Sequence, residues 1–365
     1  MHKFDQPKYV SVPSLPPIDE FTRILQPAWD SRVLTHNGPL VQLLEKNVNQ
    51  YLNTKNTVSV TNGTIALQLA IRALDLSGEI ITTPFSWIAT ASAIRWENCT
   101  PVFVDIDKDT FNIDPEKIEA AITSKTSAIM PVHVFSNPAN IDHIEDIAKK
   151  HNLKTIYDAA HAFGVNYKGK SVMEYGDISC TSFHATKIFN TGEGGACFAQ
   201  EEELFERLKR IRFFGHDNNK EIVEDGINGK LTEIHAAIGL ANLPMLNSVI
   251  EKRKVIYKLY HDKLKKTNDI QFQKFNAEEY NYSYLPIVLP SEQICLDLIK
   301  NLSSFNAYPR RYFYPSLNTI KAVGSYVQMP VSENISKRIL CLPSNNDLSI
   351  KEGEQIADII LEYFR

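Results

Sequence analysis

Thr155-Ile156-Tyr157-Asp158-Ala159-Ala160-His161 is a short apolar run that ends in a carboxylate and opens into small residues. It reads as a buried strand with a functional end, because open α/β sheets place ligands at the carboxyl ends of their strands. Working outward, apolar runs of strand length recur at Val58 to Val60, Ile80 to Thr83, Val102 to Asp105 and Ala128 to Val132, separated by stretches of helical pattern. Just ahead of the run, Ile141, Ile144, Ile147 and Ala148 recur at helical spacing, with Asp142, Glu145, Asp146, Lys149 and Lys150 on the other face, as in a helix covering a sheet. Behind it, Ile178 to Phe183 and Gly194 to Phe198 read as two more strands. The alternation predicts an α/β fold with a mostly parallel sheet.

From Leu231 the pattern changes to long helical stretches, and one that has Pro244 near its start continues through Arg253 and Tyr260. This helix is expected to link a large part, residues 1–245, to a smaller α+β part, residues 246–365. In the smaller part, Tyr284 to Leu289 and Ile339 to Leu342 read as strands, and Glu292 to Leu302 and Ile350 to Tyr363 as helices. The first fifty or so residues, including the helix-like Val41 to Leu52, are expected to pack against one or both parts.

At 365 residues the chain is long enough for two domains. With 39 basic and 43 acidic residues its formal net charge is −4, so no excess of positive charge is available to neutralise a nucleic-acid backbone. Five cysteines (Cys99, Cys180, Cys197, Cys295, Cys341) show no paired spacing, which argues against a disulfide framework or a zinc site and for a reduced, cytoplasmic location. No apolar run approaches the ~18 residues expected of a spanning helix, and no repeat of fixed period is present. Neither GxGxxG nor GxxxxGKS occurs, so dinucleotide and triphosphate sites are not indicated.

Between the last two strand runs lies Thr181-Ser182-Phe183-His184-Ala185-Thr186-Lys187, followed by Asn190-Thr191-Gly192-Glu193-Gly194-Gly195. A single lysine is usually a solvated charge. In an apolar, small-residue setting, however, desolvation disfavours the ammonium, and the free amine can attack a carbonyl. The most useful such carbonyl is that of pyridoxal phosphate, whose ring nitrogen needs an acid beside it. Asp158 suits that role, although on spacing alone it could equally cap the following turn. Thr61-Asn62-Gly63-Thr64, between a strand and an apolar helix, offers amides at a helix N-terminus to an anion, or else it is a plain cap with Asn62 or Thr64 as the capping residue.

The Ser182 to Lys187 run with its GEGG, together with the DAAHAFG run from Asp158 to Gly164, resembles the DegT family of nucleotide-sugar aminotransferases, within the aspartate aminotransferase superfamily. Thr35-His36-Asn37-Gly38-Pro39-Leu40-Val41 resembles the family's substrate-side loop, and Asn228-Gly229-Lys230-Leu231-Thr232-Glu233 the segment that a partner subunit lends. The resemblance implies the fold type I of pyridoxal-phosphate transferases: a large domain with a mostly parallel seven-stranded sheet and a smaller α+β C-terminal domain. It implies Lys187 as the covalent anchor and proton carrier, and Asp158 on the ring nitrogen. It further implies Gly63, Thr64 and Ser182 at the phosphate, Trp87 stacked on the ring, His161 at the phenolic oxygen, and Asn228 reaching the neighbouring phosphate across a homodimer interface. His161 departs from the glutamine of many relatives, and Gly229-Lys230 from an aromatic and an arginine.

Substrate recognition is sought in Tyr308-Pro309-Arg310-Arg311-Tyr312-Phe313-Tyr314-Pro315, where two guanidinium groups among aromatics suit a diphosphate and a base or sugar. The alternative is a structural ion pair. Asn37, Gly38, His184, Glu193, Lys230, Arg310, Arg311 and Tyr312 are the candidate substrate residues. This run resembles that of family members acting on dTDP-4-keto-6-deoxyglucose with L-glutamate as amino donor. A 3-keto sugar aminotransferase, a pyridoxal enzyme that transfers no nitrogen, and a non-catalytic sensor remain as alternatives. Without the resemblance Trp87 would read as a core residue. No metal, nucleic acid or membrane partner is expected.

Overall fold

The computed structural model describes residues 2–277 and 280–365. Seven strands form the central sheet: β1 (Thr57–Val60), β2 (Glu79–Thr82), β3 (Thr100–Phe103), β4 (Thr126–Met130), β5 (Lys154–Asp158), β6 (Ile178–Ser182) and β7 (Gly195–Ala199). Their order is β1-β7-β6-β5-β4-β2-β3, and only β7 runs against its two neighbours. The direction of β7 follows from its connection. Segment 183–194 contains no helix, so the chain cannot cross over and instead returns beside β6. The turn of that hairpin carries Lys187.

Strand alternation divides the core between the two faces of the sheet. Cys197 and Ala199 face one way with Val58, Val60, Ile156, Ile178 and Cys180, against helix α3 (Gly63–Ala73) and α6 (Glu202–Ile211). Ala196 and Phe198 face the other way with Tyr157 and Phe183, against α1 (Ile18–Ser31), α2 (Pro39–Leu52) and α7 (Glu233–Asn242). Between these, α4 (Ile88–Trp96) follows β2, and α5 (Ile141–His151) buries Ile141, Ile144, Ile147 and Ala148 as its spacing predicts. Each fully buried aliphatic side chain of this kind contributes about 1.5–3 kcal/mol.

Two strand expectations are corrected at their ends. The run Val102 to Asp105 leaves the sheet after Phe103, because the Asp105 carboxylate accepts the Val331 and Ser332 amides at 2.9 and 2.8 Å in the first turn of α10 (Pro330–Arg338). Ile80 to Thr83 stops at Thr82, since Thr83 Oγ1 turns to accept the Phe85 amide.

Helix α8 (Leu246–Leu264) joins the two cores: Leu246 and Val249 belong to the first, Ile256, Tyr260 and Leu264 to a second. The second core also takes Leu285, Ile287, Cys295 and Leu298, from a three-stranded antiparallel sheet (β8 Gln271–Phe272, β9 Pro286–Val288, β10 Ile339–Cys341) and from α9 (Glu292–Ser304). Helix α11 (Ile350–Tyr363) starts with a capping box at Ser349 and Glu352. The N-terminal segment joins this second part: Phe4 lies in its core, and Lys8–Tyr9 pair in parallel with Ala307–Tyr308.

Where β1 and β7 end side by side the backbones are in contact. A methyl added to Gly195 would lie 2.6 Å from the Asn62 carbonyl carbon and 2.7 Å from the Gly63 nitrogen. Neither neighbour is a side chain that could turn away. Gly195→Ala is therefore expected to destabilise by about 1–3 kcal/mol, read as a lower thermal midpoint, and to loosen the turn at Asn62-Gly63.

Candidate functional site

The carboxyl ends of β1, β2, β5 and β6 all meet at one edge, where a cavity of about 690 Å³ opens. Its floor is Asp158. The last residue of β5 is 5% exposed; its Oδ2 accepts the Thr90 hydroxyl at 2.7 Å and its Oδ1 the Ala160 amide at 3.2 Å. Burial pushes its carboxyl pKa up, while these two donors and the charge of Lys187 oppose that rise. Lys187 shares the cavity and is partly buried, with its amine among protein atoms. Desolvation brings its pKa down to about 8, against the pull of the Asp158 charge.

His161 lies three residues beyond Asp158 and is 7% exposed. Its Nδ1 accepts the Phe135 amide at 3.3 Å, which assigns the proton of the neutral ring to Nε2 and leaves that N–H as the free donor. Burial first, and the Lys187 charge second, hold the imidazole neutral. The backbone is bent to make this contact. Phe135 and Ser136 both adopt left-handed φ, 55° and 68°, an arrangement that costs roughly 1–3 kcal/mol per residue. Phe313 stacks on the imidazole at 5.7 Å, and Tyr284 tilts against it at 4.7 Å.

Opposite Asp158 lies the turn Asn62-Gly63-Thr64. Asn62 caps α3, its Oδ1 accepting the Ile65 amide at 2.9 Å, so the cap reading holds. It leaves the anion reading open, because the Gly63 and Thr64 amides precede the intrahelical ladder and point out of the helix end. A methyl at Gly63 would sit 2.9 Å from Ser182 Cβ. Glycine thus lets the Ser182 hydroxyl come beside these amides. Trp87 is 60% exposed in the cavity wall, which excludes the core reading.

On the other side, His184 and Glu193 line the mouth with Arg310 and Tyr312. His184 Nδ1 accepts the Thr186 amide at 3.2 Å, and its Nε2 lies 3.7 Å from Glu193 Oε1. Arg310 is exposed, and its Nη1 donates to the Tyr312 hydroxyl at 3.2 Å.

Arg311 is placed differently from Arg310. Its guanidinium donates to Glu292 Oε1 at 2.7 Å and to the Lys337 carbonyl at 2.8 Å, and lies 3.5 Å over the Tyr314 ring. It is in the structural ion pair, beside an adjoining cleft and outside the main cavity. Nor does the chain bring Asn37, Gly38, Asn228 or Lys230 to its own cavity. Gly38 lies against Glu233, whose carboxylate caps α2 through the Leu40 and Val41 amides at 2.7 and 3.1 Å. Lys230 donates to Asn228 Oδ1 at 2.6 Å over the rings of Phe213 and Phe214, while Asn228 itself is exposed.

Among the cavity residues not proposed for the site from the sequence are Ser86, Thr90, Tyr284 and Phe313. Ser86 and Thr90 bear only the signal of two small hydroxyl residues at the start of α4, Ser86 just before its first turn and Thr90 within it. Phe313 lies in the aromatic run quoted for substrate recognition, without a role of its own there, whereas Tyr284 bears no signal, because it arrives from the distant C-terminal part.

Residues 18–361 match the model of the DegT/DnrJ/EryC1/StrS aminotransferase family. The chain belongs to this family. A Shigella dysenteriae relative named dTDP-4-amino-4,6-dideoxy-D-glucose transaminase is 42% identical over 364 residues, covering 98% of this chain and 99% of the relative. DesI, solved in the presence of its TDP-sugar product, superposes with a TM-score of 0.94 at 31% identity, covering 100% of this chain and 95% of that one. NtdA from Bacillus subtilis, solved with bound cofactor PMP, has a TM-score of 0.87 at 26% identity over 95% of this chain and 81% of its own.

The chain is accordingly a sugar aminotransferase of α/β fold, and its cofactor is pyridoxal phosphate. The cavity fits that group: a buried carboxylate, an amine close to its free-base range, a neutral imidazole donor and an anion cradle cleared by Gly63.

The Lys187 amine is expected to titrate near pH 8. In cofactor-free protein its rate of labelling by an amine-selective reagent, followed by peptide mass spectrometry, should rise with pH through a midpoint of about 8. The free base is the reactive form, so lowering the pKa moves the rise to lower pH. Exposed lysines should respond only near pH ~10.4.

Proposed function

We propose that the enzyme moves the amino group of L-glutamate to carbon 4 of dTDP-4-keto-6-deoxyglucose, giving dTDP-4-amino-4,6-dideoxyglucose. The observation that carries this is the joining, in one cavity, of the Asp158 and Lys187 pair to an exposed Arg310 and a half-buried Tyr312. The near full-length identity with the Shigella relative of that name supports the sugar. Bound pyridoxal phosphate supplies an aldehyde that carries nitrogen and a ring that accepts the electrons left when a substrate carbon loses its proton.

The protein's own groups perform the rest. Asp158, whose two donors oppose the rise that burial imposes on its carboxyl, would keep a proton on the ring nitrogen. Lys187 would anchor the cofactor, and its amine, free in about a tenth of molecules at pH 7 for a pKa near 8, would carry the proton between the substrate carbon and the cofactor. The Gly63 and Thr64 amides and the Ser182 hydroxyl receive the phosphate, Trp87 covers a ring face, and His161 Nε2–H donates to the phenolic oxygen. Arg310 meets the diphosphate of the nucleotide sugar, with Tyr312 beside it, while His184 and Glu193 face the sugar ring. Arg311 stiffens this wall through Glu292.

The active unit in this reading is a homodimer, with a large domain to residue 245 and a small one from 246. Asn228 lies outside its own cavity and is flanked by exposed Phe214, Ile222, Val223 and Ile227, which favours a role in the partner's site. Asn37, Gly38 and Lys230 would then serve the same shared site. All five cysteines are free and buried, in keeping with a cytoplasmic enzyme.

Incubation with L-glutamate and dTDP-4-keto-6-deoxyglucose should yield the 4-amino sugar by mass spectrometry; its absence, with turnover of a 3-keto isomer, would move the assignment to that isomer. Lys187→Ala should lose the visible band of the attached cofactor, with turnover reduced by about 10²–10⁴-fold or more. Arg310→Met should raise KM for the nucleotide sugar by roughly 10- to 100-fold, the loss of one charge-assisted contact, with KM for glutamate little changed.

A further inference from the structure

Behind Asp158 stands a short chain of hydroxyls whose direction is fixed by chemistry. An ionised carboxylate only accepts hydrogen bonds, so the single proton of Thr90 is committed to Asp158 Oδ2 at 2.7 Å. Ser86 Oγ, 2.8 Å from Thr90 Oγ1, must then donate to Thr90. All three groups are at least 95% buried, so the chain operates in a medium of low dielectric, where successive donors polarise one another. The geometry comes from α4: Ser86 precedes its first turn and Thr90 lies within it, on the side turned to the end of β5.

The Asp158 carboxylate is therefore held at both oxygens, Oδ2 by Thr90 and Oδ1 by the Ala160 amide, and cannot rotate without breaking one of them. We propose that Thr90 is the positioning residue of Asp158, keeping it ionised and turned to the cofactor ring, and that Ser86 strengthens it through the hydroxyl chain. This rests on Asp158 being the partner of the ring nitrogen. The cavity wall then carries a hydroxyl support that acts on the cofactor ring through Asp158.

The test reads cofactor retention against pH in holoenzyme variants, by visible absorbance after equilibrium dialysis between pH 5.5 and 8.5. A donor to the ionised form lowers a carboxyl pKa, so removing it raises the pKa, and retention should fail at higher pH than in the native enzyme. Thr90→Val is expected to move that failure up by about one pH unit, about tenfold weaker retention at a pH on the falling limb. Thr90→Ser, which keeps the hydroxyl, should restore the native profile to within about threefold.

A native profile for Thr90→Val, or identical profiles for the Val and Ser variants, would overturn the role of Thr90. If Thr90→Val lacks a cooperative thermal transition, Ser86→Ala decides, with a smaller shift in the same direction expected and an unchanged profile overturning the proposal. Asp158→Asn separates the two layers. If it keeps native retention, the reading of Asp158 fails and Thr90 with it; if it abolishes retention while Thr90→Val changes nothing, only Thr90 falls.

Discussion

Two ionisable groups are held in a cavity that strips water from both, and the site depends on how each offsets the burial of the other. Desolvation drives Asp158 toward its acid and Lys187 toward its free base, while each one's charge favours the ionised form of its neighbour. Neither wins outright. Lys187 settles near 8, low enough for a reactive amine and high enough to hold a proton once it has taken one. Such a balance survives only where the backbone cannot relax, and both groups are fixed at the ends of adjacent strands. Asp158 closes β5, and Lys187 sits on the hairpin between β6 and β7, paired to it in register through Asp158↔Cys180 and Cys180↔Cys197.

The same edge explains why so much could be read from the chain. All seven strands stand within a few residues of the apolar runs that predict them, because strands buried on both faces leave continuous hydrophobic runs. Helix α5 and helix α11 follow their spacing, and the end of the Thr155 run marks the floor of the cavity. What stayed hidden is set by contacts between distant segments. The pairing of Lys8–Tyr9 with Ala307–Tyr308 has no local signature. Tyr284 and Phe313 enter the cavity through tertiary folding alone. Arg310 and Arg311 are adjacent in sequence and alike in type, yet the first faces the cavity and the second is held by Glu292. The packing of α9 and α10 around Arg311 separates them.

His161 is fixed on several sides by its surroundings. A neutral imidazole in a single tautomer offers one ring nitrogen as acceptor and the other as donor. Burial keeps the ring neutral; the Phe135 amide, aimed by two consecutive left-handed residues, sets the tautomer. Asn281 and Ser283 complete the support by donating to the His161 carbonyl at 2.8 and 3.3 Å. The residue after them, Tyr284, packs on the imidazole itself. The C-terminal part thus helps shape the cavity both around His161 and at the Arg310 and Tyr312 side.

That coupling is routed through Arg253. It is 1% exposed on α8, the helix shared by both cores, and its Nη1 donates to the Ser283 carbonyl at 3.1 Å while its Nε donates to Asn346 Oδ1 at 3.0 Å. Burial lowers its pKa to about 10, so it remains charged at neutral pH although its partners here are neutral oxygens. A charge held this way resists displacement, because moving Ser283 would strip it of a hydrogen bond in a medium that offers no water in exchange. Helix α8 therefore fixes the segment Asn281 to Tyr284, that segment fixes His161, and His161 lies three residues from the carboxylate on which the site depends. The position of the smaller part is in this way written into the geometry of the cofactor pocket.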